Sequence, residues 1–296
     1  MSRPQGNGRT RSGRIVNAMT VDVEDYFHVA AFEGRVERAD WSLHESRVRR
    51  NTERLLDTFA RHRARATFFF LGWVAEREPA LVRQVAAAGH DLALHSHWHR
   101  LVYDLTPEEF RRDVREGRAA VEAAAGTRVV GYRAPTYSVT ERSLWALDVL
   151  IEEGFEYDAS IFPIHHDRYG IPSAPRHAHR LERPSGRLTE IPASTVRLGP
   201  VNLPVAGGGY FRLLPYAWTA WGLRRINTVE RRPAVFYIHP WEIDPHQPRL
   251  PAPFLTRVRH YTGLNHTGER LDRLLRDFTF DSIESVFMRE TAPLRG

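Results

Sequence analysis

Two histidines four residues apart, His95 and His99, are the side chains of this sequence whose type and spacing most directly suggest chemistry. Neutral imidazole is the most common side-chain metal ligand, and a spacing of four would put both rings on one face if the segment were helical. A third histidine, His97, lies between them. Because a short histidine-rich tract is also compatible with an ordinary polar loop, a metal site requires a carboxylate ligand and acid–base groups elsewhere in the chain.

Candidate acid–base and ligand residues follow other apolar segments of the chain. Three acids end the first such segment, an arginine and an aspartate follow two middle segments, and a histidine ends a late one. They are Asp22, Glu24, Asp25, Arg133, Asp158 and His239. Taken alone, each has an ordinary structural explanation, such as a turn, a surface ion pair or a packed loop histidine. In parallel α/β barrels, however, the active site forms where several strands end at one rim, so their joint placement predicts one site.

These residue types divide into the parts of a hydrolytic site. One carboxylate and two imidazoles form a three-ligand site with an open position, which suits Zn²⁺ or a similar cation. A second carboxylate can act as a general base, Arg133 can hold that carboxylate ionised, and His239 can protonate a leaving group. The chain contains no cysteine, so every protein ligand must be a histidine, an aspartate or a glutamate. These parts indicate hydrolysis of an amide or an ester.

The elements that must position these residues alternate between strand and helix in the first half of the chain. The apolar patterns predict strands at residues 15–21, 66–71, 91–94, 129–132 and 155–159. They predict helices at residues 46–63, 81–88, 107–125 and 140–154. The third helix begins with a capping box at Thr106. This alternation is typical of an α/β fold with a parallel sheet or barrel covered by helices.

The second half of the chain is less regular. Residues 162–232 are rich in proline and glycine and predict loops, with a strand at 188–192 and a helix at 213–228. A strand at 234–238 and a helix near 269–277 follow. Because no internal repeat or linker is evident, we expect a single catalytic domain at residues 15–290 with a loop-rich region and a C-terminal extension. Residues 1–14 are rich in glycine, arginine and serine and are predicted to form a disordered basic tail.

Composition limits the classes of protein to which the chain can belong. Of its 296 residues, 42% are hydrophobic, which is enough for a core, and the net charge is +6. The basic surface favours anionic partners such as acidic glycans or lipid phosphates, whereas no nucleic-acid partner is expected because no such motif is present. No apolar run reaches the ~18–20 residues that span a bilayer, and no signal peptide is evident. We therefore expect a cytoplasmic location or one at the inner membrane face, with peripheral contact to a lipid-linked glycan.

Four motifs occur in the order and spacing of a known family. They are TVDVED at residues 20–25, HSHWH at 95–99, RAP at 133–135 and FYIH at 236–239. Over about residues 15–245 the chain resembles the carbohydrate esterase family 4 polysaccharide deacetylases, which share the nodulation-factor deacetylase homology domain. Segments at residues 22–28, 207–212 and 239–242 are similar to the subgroup found with bacterial exopolysaccharide and exosortase gene clusters.

The resemblance implies a distorted (β/α) barrel of the polysaccharide deacetylase type. It implies a hydrolase that removes N-acetyl groups from a sugar of a polysaccharide or of its lipid-linked precursor, in exopolysaccharide biosynthesis. The implied cofactor is a divalent metal bound by His95 and His99, and we expect Zn²⁺. The alternatives are a hydrolase of a small non-sugar amide and a non-catalytic glycan-binding relative, but retention of both histidines argues against the metal-free members of this family branch.

Other roles are implied by the resemblance, position by position. Asp22 matches the catalytic base, Arg133 the tether of that base, and His239 the general acid. Asp158 matches the acid that steadies the histidine network, although the tryptophan that usually follows it is absent. A backbone N–H near Thr136 is implied to bind the oxyanion. The residues implied to lie near the substrate are Tyr137, Trp98 and Trp241.

The third metal ligand stays open between two acids of the first motif. Strand alternation puts Asp22 and Glu24 on the same face, which favours Glu24 as the ligand. The shorter side chain of Asp25 and its position in the following turn favour Asp25 instead.

Overall fold

The computed structural model describes residues 14–288 of the chain. Except for Arg14, the predicted basic tail lies outside the described residues, as do the last two residues of the predicted catalytic domain. The strands of the described part are β1 (Val16–Val23), β2 (Thr67–Phe70), β3 (Asp91–Leu94), β4 (Gly131–Tyr132), β5 (Tyr157–Asp158), β6 (His179–Arg183), β7 (Gly186–Glu190), β8 (Thr195–Leu198), β9 (Val201–Pro204), β10 (Val235–Ile238) and β11 (Thr279–Asp281).

A single mixed sheet contains every one of these strands except β8 and β9. Its order is β10-β1-β2-β3-β4-β5-β7-β6, and β11 pairs with the start of β1. All the pairings in it are parallel except the one between β6 and β7. The strands β8 and β9 form a separate antiparallel hairpin. The predicted α/β class is therefore confirmed, and strands from both halves of the chain share the sheet.

Along the described chain the sheet is not closed by strand pairing, although contacts connect the segment after β7 to β10. Between β7 and β10 the contacts are irregular: the N–H of Val235 donates to Oγ of Ser194 at 2.7 Å, and the N–H of Tyr237 donates to the carbonyl of Ala206 at 2.8 Å. One hydrophobic core cluster contains residues of several strands together with Ile283 and Val286, near the end of the described residues. Its strand members include Ala18, Phe69, Ala93, Tyr157 and Val235.

Helices pack outside the sheet and connect its parallel strands. They are α1 (Val48–His62), α2 (Gly72–Arg77), α3 (Pro79–Ala87), α4 (Pro107–Ala125), α5 (Trp145–Glu152), α6 (Gly208–Leu213), α7 (Tyr216–Arg225), α8 (Phe254–Tyr261) and α9 (Leu264–Asp277). The predicted capping box opens α4, where the Glu109 N–H donates to Oγ1 of Thr106 and the Thr106 N–H donates to the Glu109 carboxylate. Between residues 14 and 288, none of the helices is long and apolar enough to cross a membrane.

Several elements differ from the sequence-based predictions. The short helix α2 was not predicted, because its apolar residues directly continue the run of β2. The predicted helix at 213–228 begins three residues later, as α7, since Pro215 is its N-cap, and it continues in a π-helical turn at Ile226–Glu230. The short helix α6, which ends before Pro215, was not predicted. The loop-rich region contains two hairpins, β6–β7 and β8–β9, and the helix α8 that follows it was also missed.

Close packing of α2 against α4 requires glycine at Gly72. A Cβ atom there would lie 2.6 Å from Cα of Gly117 and 2.4 Å from Nδ1 of His97. We therefore expect Gly72→Ala to lower the free energy of unfolding by about 1–3 kcal/mol. Gly268→Ala is the matched control, since a Cβ in that position of α9 meets nothing within 4 Å and alanine favours helix. Chemical denaturation measures the free energy of unfolding of both variants. A Gly72→Ala variant as stable as the control would contradict the prediction.

Candidate metal and catalytic site

The end of β1 supplies three polar side chains to one side of the sheet. Thr20, Asp22 and Glu24 are spaced by two residues, so they point to the same face, and all are at most 3% exposed. The ends of three other strands bring the partners: His95 follows β3, Arg133 follows β4 and His239 follows β10. The structure therefore brings these predicted residues together at the carboxyl ends of parallel strands, whereas Asp25 and Asp158 lie elsewhere.

Glu24, His95 and His99 form a group that could hold a metal ion. Their ligand atoms all lie within 4.8 Å of one another, and all three side chains are buried. Nε2 of His99 lies 2.7 Å from Oε2 of Glu24, yet this buried oxygen makes no hydrogen bond with acceptable geometry to the described residues. A carboxylate and two imidazoles that converge without hydrogen bonding to each other fit a divalent cation, with room for further ligands.

The tautomer of His95 is fixed by the backbone. Its Nδ1 lies 2.8 Å from the carbonyl oxygen of Arg133 and donates to it, which leaves Nε2 unprotonated for a cation. Burial lowers the pKa of His95 to about 4, so the ring is neutral at physiological pH. Neutral imidazole with a fixed orientation is the form that binds metals.

The two ligand histidines are brought together by a turn and not by a helix. Residues 95–99 are irregular, and Ser96 and His99 have left-handed φ angles of 68° and 51°. The carboxylate of Asp113 on α4 accepts hydrogen bonds from the N–H groups of His97 and Trp98, at 3.0 and 3.1 Å. This anchoring by α4 offsets the backbone strain, which is about 1–3 kcal/mol for each left-handed residue. The side chain of His97 lies outside the ligand group.

Asp25, one of the two candidate carboxylate ligands, has a structural role instead. It lies beyond the end of β1, and its Oδ2 accepts hydrogen bonds from Oγ of Ser46 and from the N–H groups of Arg47 and Val48, at 2.9, 2.6 and 3.0 Å. It thus satisfies N–H groups at the start of α1, which have no partner within the helix. Of the two acids left open as the third ligand, the structure brings only Glu24 to the histidines.

Asp22, the predicted base, is held by an arginine inside the protein. Oδ1 of Asp22 accepts a hydrogen bond from Nη1 of Arg133 at 2.7 Å, and the same nitrogen donates to Oγ1 of Thr20 at 2.8 Å. Arg133 is completely buried, and its guanidinium lies 4.2 Å from the ring centre of Phe69. This pairing keeps one carboxylate oxygen anchored, and the other, Oδ2, lies 3.8 Å from Nε2 of His239.

His239, the predicted acid, is held by Glu242. Nδ1 of His239 lies 2.9 Å from Oε2 of Glu242, and Nε of Arg212 donates to the other oxygen of that carboxylate at 2.6 Å. Burial alone would lower the pKa of His239, but the charges of Glu242, Glu24 and Asp22 raise it to about 9. Burial would raise the pKa of Glu242, but His239 and Arg212 lower it to about 2. The pair is therefore an imidazolium and a carboxylate at neutral pH.

Glu242 and Arg212 are candidate functional residues that the sequence did not identify. Both lie in segments that the sequence analysis singled out, but neither was given a role. A signal was available for Glu242: it follows His239 by three residues at the start of a short helix, and its carboxylate also accepts the His239 backbone N–H at 3.0 Å, as in a capping box. No local signal was available for Arg212, because it lies 30 residues before Glu242 and contacts it only in the folded protein.

Asp158 does not contact His239, so its predicted role is corrected. Oγ of Ser160 donates to Asp158 at 2.5 Å and accepts the N–H of Ala134 at 2.7 Å. Burial raises the pKa of Asp158 to about 6 and, together with Asp158, raises that of the adjacent Glu190 well above its usual value. The hydrogen bonds of Ser160 thus tie Asp158 to the segment that follows Arg133, while Glu242 supports the histidine.

The predicted substrate residues occupy different environments. Thr136 and Tyr137 have left-handed φ angles of 54° and 52°, so this segment carries backbone strain at the rim. Trp98 lies in the turn formed by residues 95–99 and is partly exposed. Trp241 is only 4% exposed and stacks on His239, with ring centres 5.3 Å apart, while its Nε1 donates to Glu24 at 3.3 Å. Trp241 therefore positions His239 and Glu24, and its predicted contact with the substrate stays a prediction.

Two isosteric substitutions separate the adjacent acids. We expect Glu24→Gln to lower the affinity for Zn²⁺ at least ~10–100-fold, because a charged ligand is lost. We expect Asp25→Asn to retain the metal but to lower the free energy of unfolding by about 1–2 kcal/mol, through weaker capping of α1. Elemental analysis after dialysis and chemical denaturation measure the two effects. Loss of metal from Asp25→Asn alone would show that the assignment of the ligand is reversed.

Comparison with known proteins yields two adjacent family matches. Residues 41–151 match the polysaccharide deacetylase family, and residues 159–288 match a domain of unknown function (DUF3473). A chitooligosaccharide deacetylase of Rhizobium leguminosarum bv. trifolii is 32% identical over 114 residues, which are 38% of this chain and 49% of that protein. A peptidoglycan-N-acetylglucosamine deacetylase of Bacillus cereus is 30% identical over 98 residues, which are 33% of this chain and 36% of that protein. The chain thus spans half or less of the length of these curated relatives.

Solved structures agree with these matches at the level of the fold. A Mycobacterium smegmatis protein assigned to the polysaccharide deacetylases superimposes with a TM-score of 0.62 at 20% identity, covering 99% of this chain and 97% of that chain. A family 4 carbohydrate esterase from Streptomyces lividans gives a TM-score of 0.50 at 16% identity, covering 94% and 97%. Together with the matched residues 41–151, these likenesses confirm the resemblance seen in the motifs: this segment matches the polysaccharide deacetylase family, and the chain has the fold of the two solved structures.

Proposed function

We propose that this protein is a divalent-metal-dependent hydrolase that removes N-acetyl groups from an N-acetylated sugar of a polysaccharide or of its lipid-linked precursor. The observation that carries the proposal is the arrangement at the strand ends. A buried ligand group lies beside a histidine held by a glutamate, and that histidine faces a carboxylate held by an arginine. A base, an acid and a metal site within one rim are the parts that hydrolysis of an amide needs.

Glu24, His95 and His99 would hold the cation, and Zn²⁺ suits two imidazoles and one carboxylate. When bound, such a cation supplies a Lewis acid that stabilises negative charge on a neighbouring oxygen atom. The buried, neutral ring of His95 and its bond to the backbone give this ligand set a fixed geometry before a cation binds.

The side chains of Asp22 and His239 divide the proton transfers between them. Asp22 accepts a proton from the water that attacks the acetyl carbonyl, while the hydrogen bond from Arg133 keeps its carboxylate oriented. His239, protonated at neutral pH, donates a proton to the sugar nitrogen as its bond to the acetyl carbon breaks. The products are acetate and a free amine. A backbone N–H near Thr136 would stabilise the oxyanion, and Trp98 at the rim would contact the sugar.

The proposed substrate class rests on the relatives. Those with the matching segments are named as deacetylases of chitooligosaccharide and of peptidoglycan N-acetylglucosamine, which are N-acetylated glycans. A role in exopolysaccharide biosynthesis, at the cytoplasmic face of the inner membrane, is supported only by the motifs at residues 22–28, 207–212 and 239–242.

Release of acetate from N-acetylated oligosaccharides tests the proposed function directly. We expect purified protein with Zn²⁺ to release acetate and to lose this activity in the presence of a chelator. Asp22→Asn is expected to keep the metal and to lower kcat by about 10²–10⁴-fold, because it removes the base but can still accept a hydrogen bond from Arg133.

Other results would replace the proposal. Hydrolysis of small non-sugar amides without release of acetate from glycans would indicate the alternative amidohydrolase. Glycan binding without turnover or metal would indicate a binding protein. If Asp22→Asn lost the metal, Asp22 would be a ligand and not the base.

The pH dependence of kcat/KM tests the role of Glu242. The carboxylate helps to raise the pKa of His239 to about 9, and a general acid must be protonated, so activity is expected to fall as the pH rises through this value. Glu242→Gln removes the negative charge and should move this alkaline limb down by about one pH unit or more. Ser185→Ala, far from the site, is the control. An unmoved alkaline limb in Glu242→Gln would show that His239 is not the titrating acid.

A further inference from the structure

Helix α8 presents an apolar face to the outside of the protein. Phe254, Leu255 and Val258 are 75%, 66% and 40% exposed, and they occupy neighbouring positions on this one short helix. Single exposed apolar residues are common on protein surfaces, whereas a contiguous group usually marks an interaction site. We refer to these three side chains as the α8 apolar face.

Positive charge surrounds the α8 apolar face. Residues 245–268 include Arg249, Arg257 and Arg259 but contain no aspartate or glutamate. All three arginines are exposed. An apolar face with flanking arginines is the pattern of helices that lie in the interface of an anionic bilayer.

The other side of α8 is tied to the proposed acid of the site. Nη1 of Arg212, the residue that holds Glu242, donates to the carbonyl oxygens of Arg259 and His260 at 3.0 and 2.9 Å. The ring of His260 stacks on that of Trp241, with centres 4.3 Å apart. The helix therefore lies at the same end of the sheet as the site, with its buried side towards the site and its apolar face outwards.

The segment before α8, residues 249–253, is also held in place, and we refer to it as the strap. Leu250 donates its N–H to the hydroxyl of Tyr261 at 2.7 Å, and the guanidinium of Arg249 lies 4.8 Å from the ring centre of that tyrosine. Pro251 and Pro253 further restrict the backbone of this strap. The exposed apolar side chains are therefore displayed by an anchored element and not by a free loop.

We propose that α8 and its strap form a docking surface for an anionic lipid bilayer. Phe254, Leu255 and Val258 enter the boundary between head groups and acyl chains, and the arginines contact lipid phosphates. A protein partner fits less well, since three side chains on two turns of helix provide far less than the roughly 800 Å² that each side of a stable protein interface buries. Docking in this way brings the rim of the site next to the membrane surface, where the head group of a lipid-linked glycan would lie.

Co-sedimentation with vesicles tests this docking surface. We expect the full chain to bind phosphatidylcholine vesicles that contain roughly 30% phosphatidylglycerol, and to bind them less as salt increases. Phe254→Ser combined with Leu255→Ser should lower the partition coefficient at least about tenfold. Arg257→Gln combined with Arg259→Gln should lower it by about fivefold or more, and mainly for anionic vesicles.

The matched control is Val229→Ser combined with Arg232→Gln. Val229 is 65% exposed in the turn before β10, at the opposite end of the sheet from the site. The control should bind vesicles as the unchanged protein does, and all variants should keep its Tm. Lack of vesicle binding by the unchanged protein, or equal binding by the Phe254/Leu255 variant, would overturn the proposal. So would a dimer that dissociates in that variant, which would assign α8 to self-association.

Vesicle binding is measured without substrate, so its outcome does not depend on the proposed reaction. Acetate release from soluble oligosaccharides, assayed on the same variants, reports separately on the site. We expect this release to be unchanged, because none of the substituted side chains belongs to the site.

Discussion

The buried charge of Arg133 is the constraint on which the rest of the site depends. Transfer of a guanidinium from water to a protein interior costs several kcal/mol of free energy, unless charged and polar partners surround the group. Here Asp22 and Thr20 accept from Nη1, the carbonyl of Ala159 accepts from Nε at 3.2 Å, and the ring of Phe69 lies under the guanidinium plane. The backbone carbonyl of the same residue fixes the tautomer of His95. One buried residue thus orients both the proposed base and a proposed metal ligand, so the two cannot shift independently.

Buried carboxyl groups at this rim differ in role because they differ in partners. Glu24 faces imidazole nitrogens, Asp25 faces backbone N–H groups of α1, and Glu242 lies between an imidazole and a guanidinium. Asp158 lies beside the carboxyl group of Glu190 and accepts a hydrogen bond from Ser160. The same chemical group is therefore a candidate ligand, a helix cap, a support for an acid or a structural anchor. Only the arrangement of partners, which comes from distant parts of the chain, distinguishes these roles.

This dependence explains which features the sequence could predict. The strands β1, β2, β3 and β10, the helix α4 with its capping box and the joint placement of the reactive residues follow from local patterns. The role of Asp158 was predicted wrongly, and Arg212 was missed, because each depends on a contact with a residue 30 or more positions away. A spacing of four residues fits one face of a helix, but at residues 95–99 it is produced by a turn with two left-handed residues. That turn is held by Asp113 on α4, and no local pattern in the sequence reveals this contact.

The register of the parallel strands explains why the site needs both matched regions of the chain. Val21 pairs with Ile238, which puts His239 beside Asp22, and Leu94 pairs with Tyr132, which puts Arg133 beside His95. Residues 41–151, the part that matches the deacetylase family, contain the histidine ligands and Arg133 but neither the acids of β1 nor His239. The proposed acid and its support by Glu242 and Arg212 come from the domain of unknown function. Because β10 of that region pairs with β1, and β1 pairs with β2 of residues 41–151, the acid is placed beside the ligands only when both regions share one sheet.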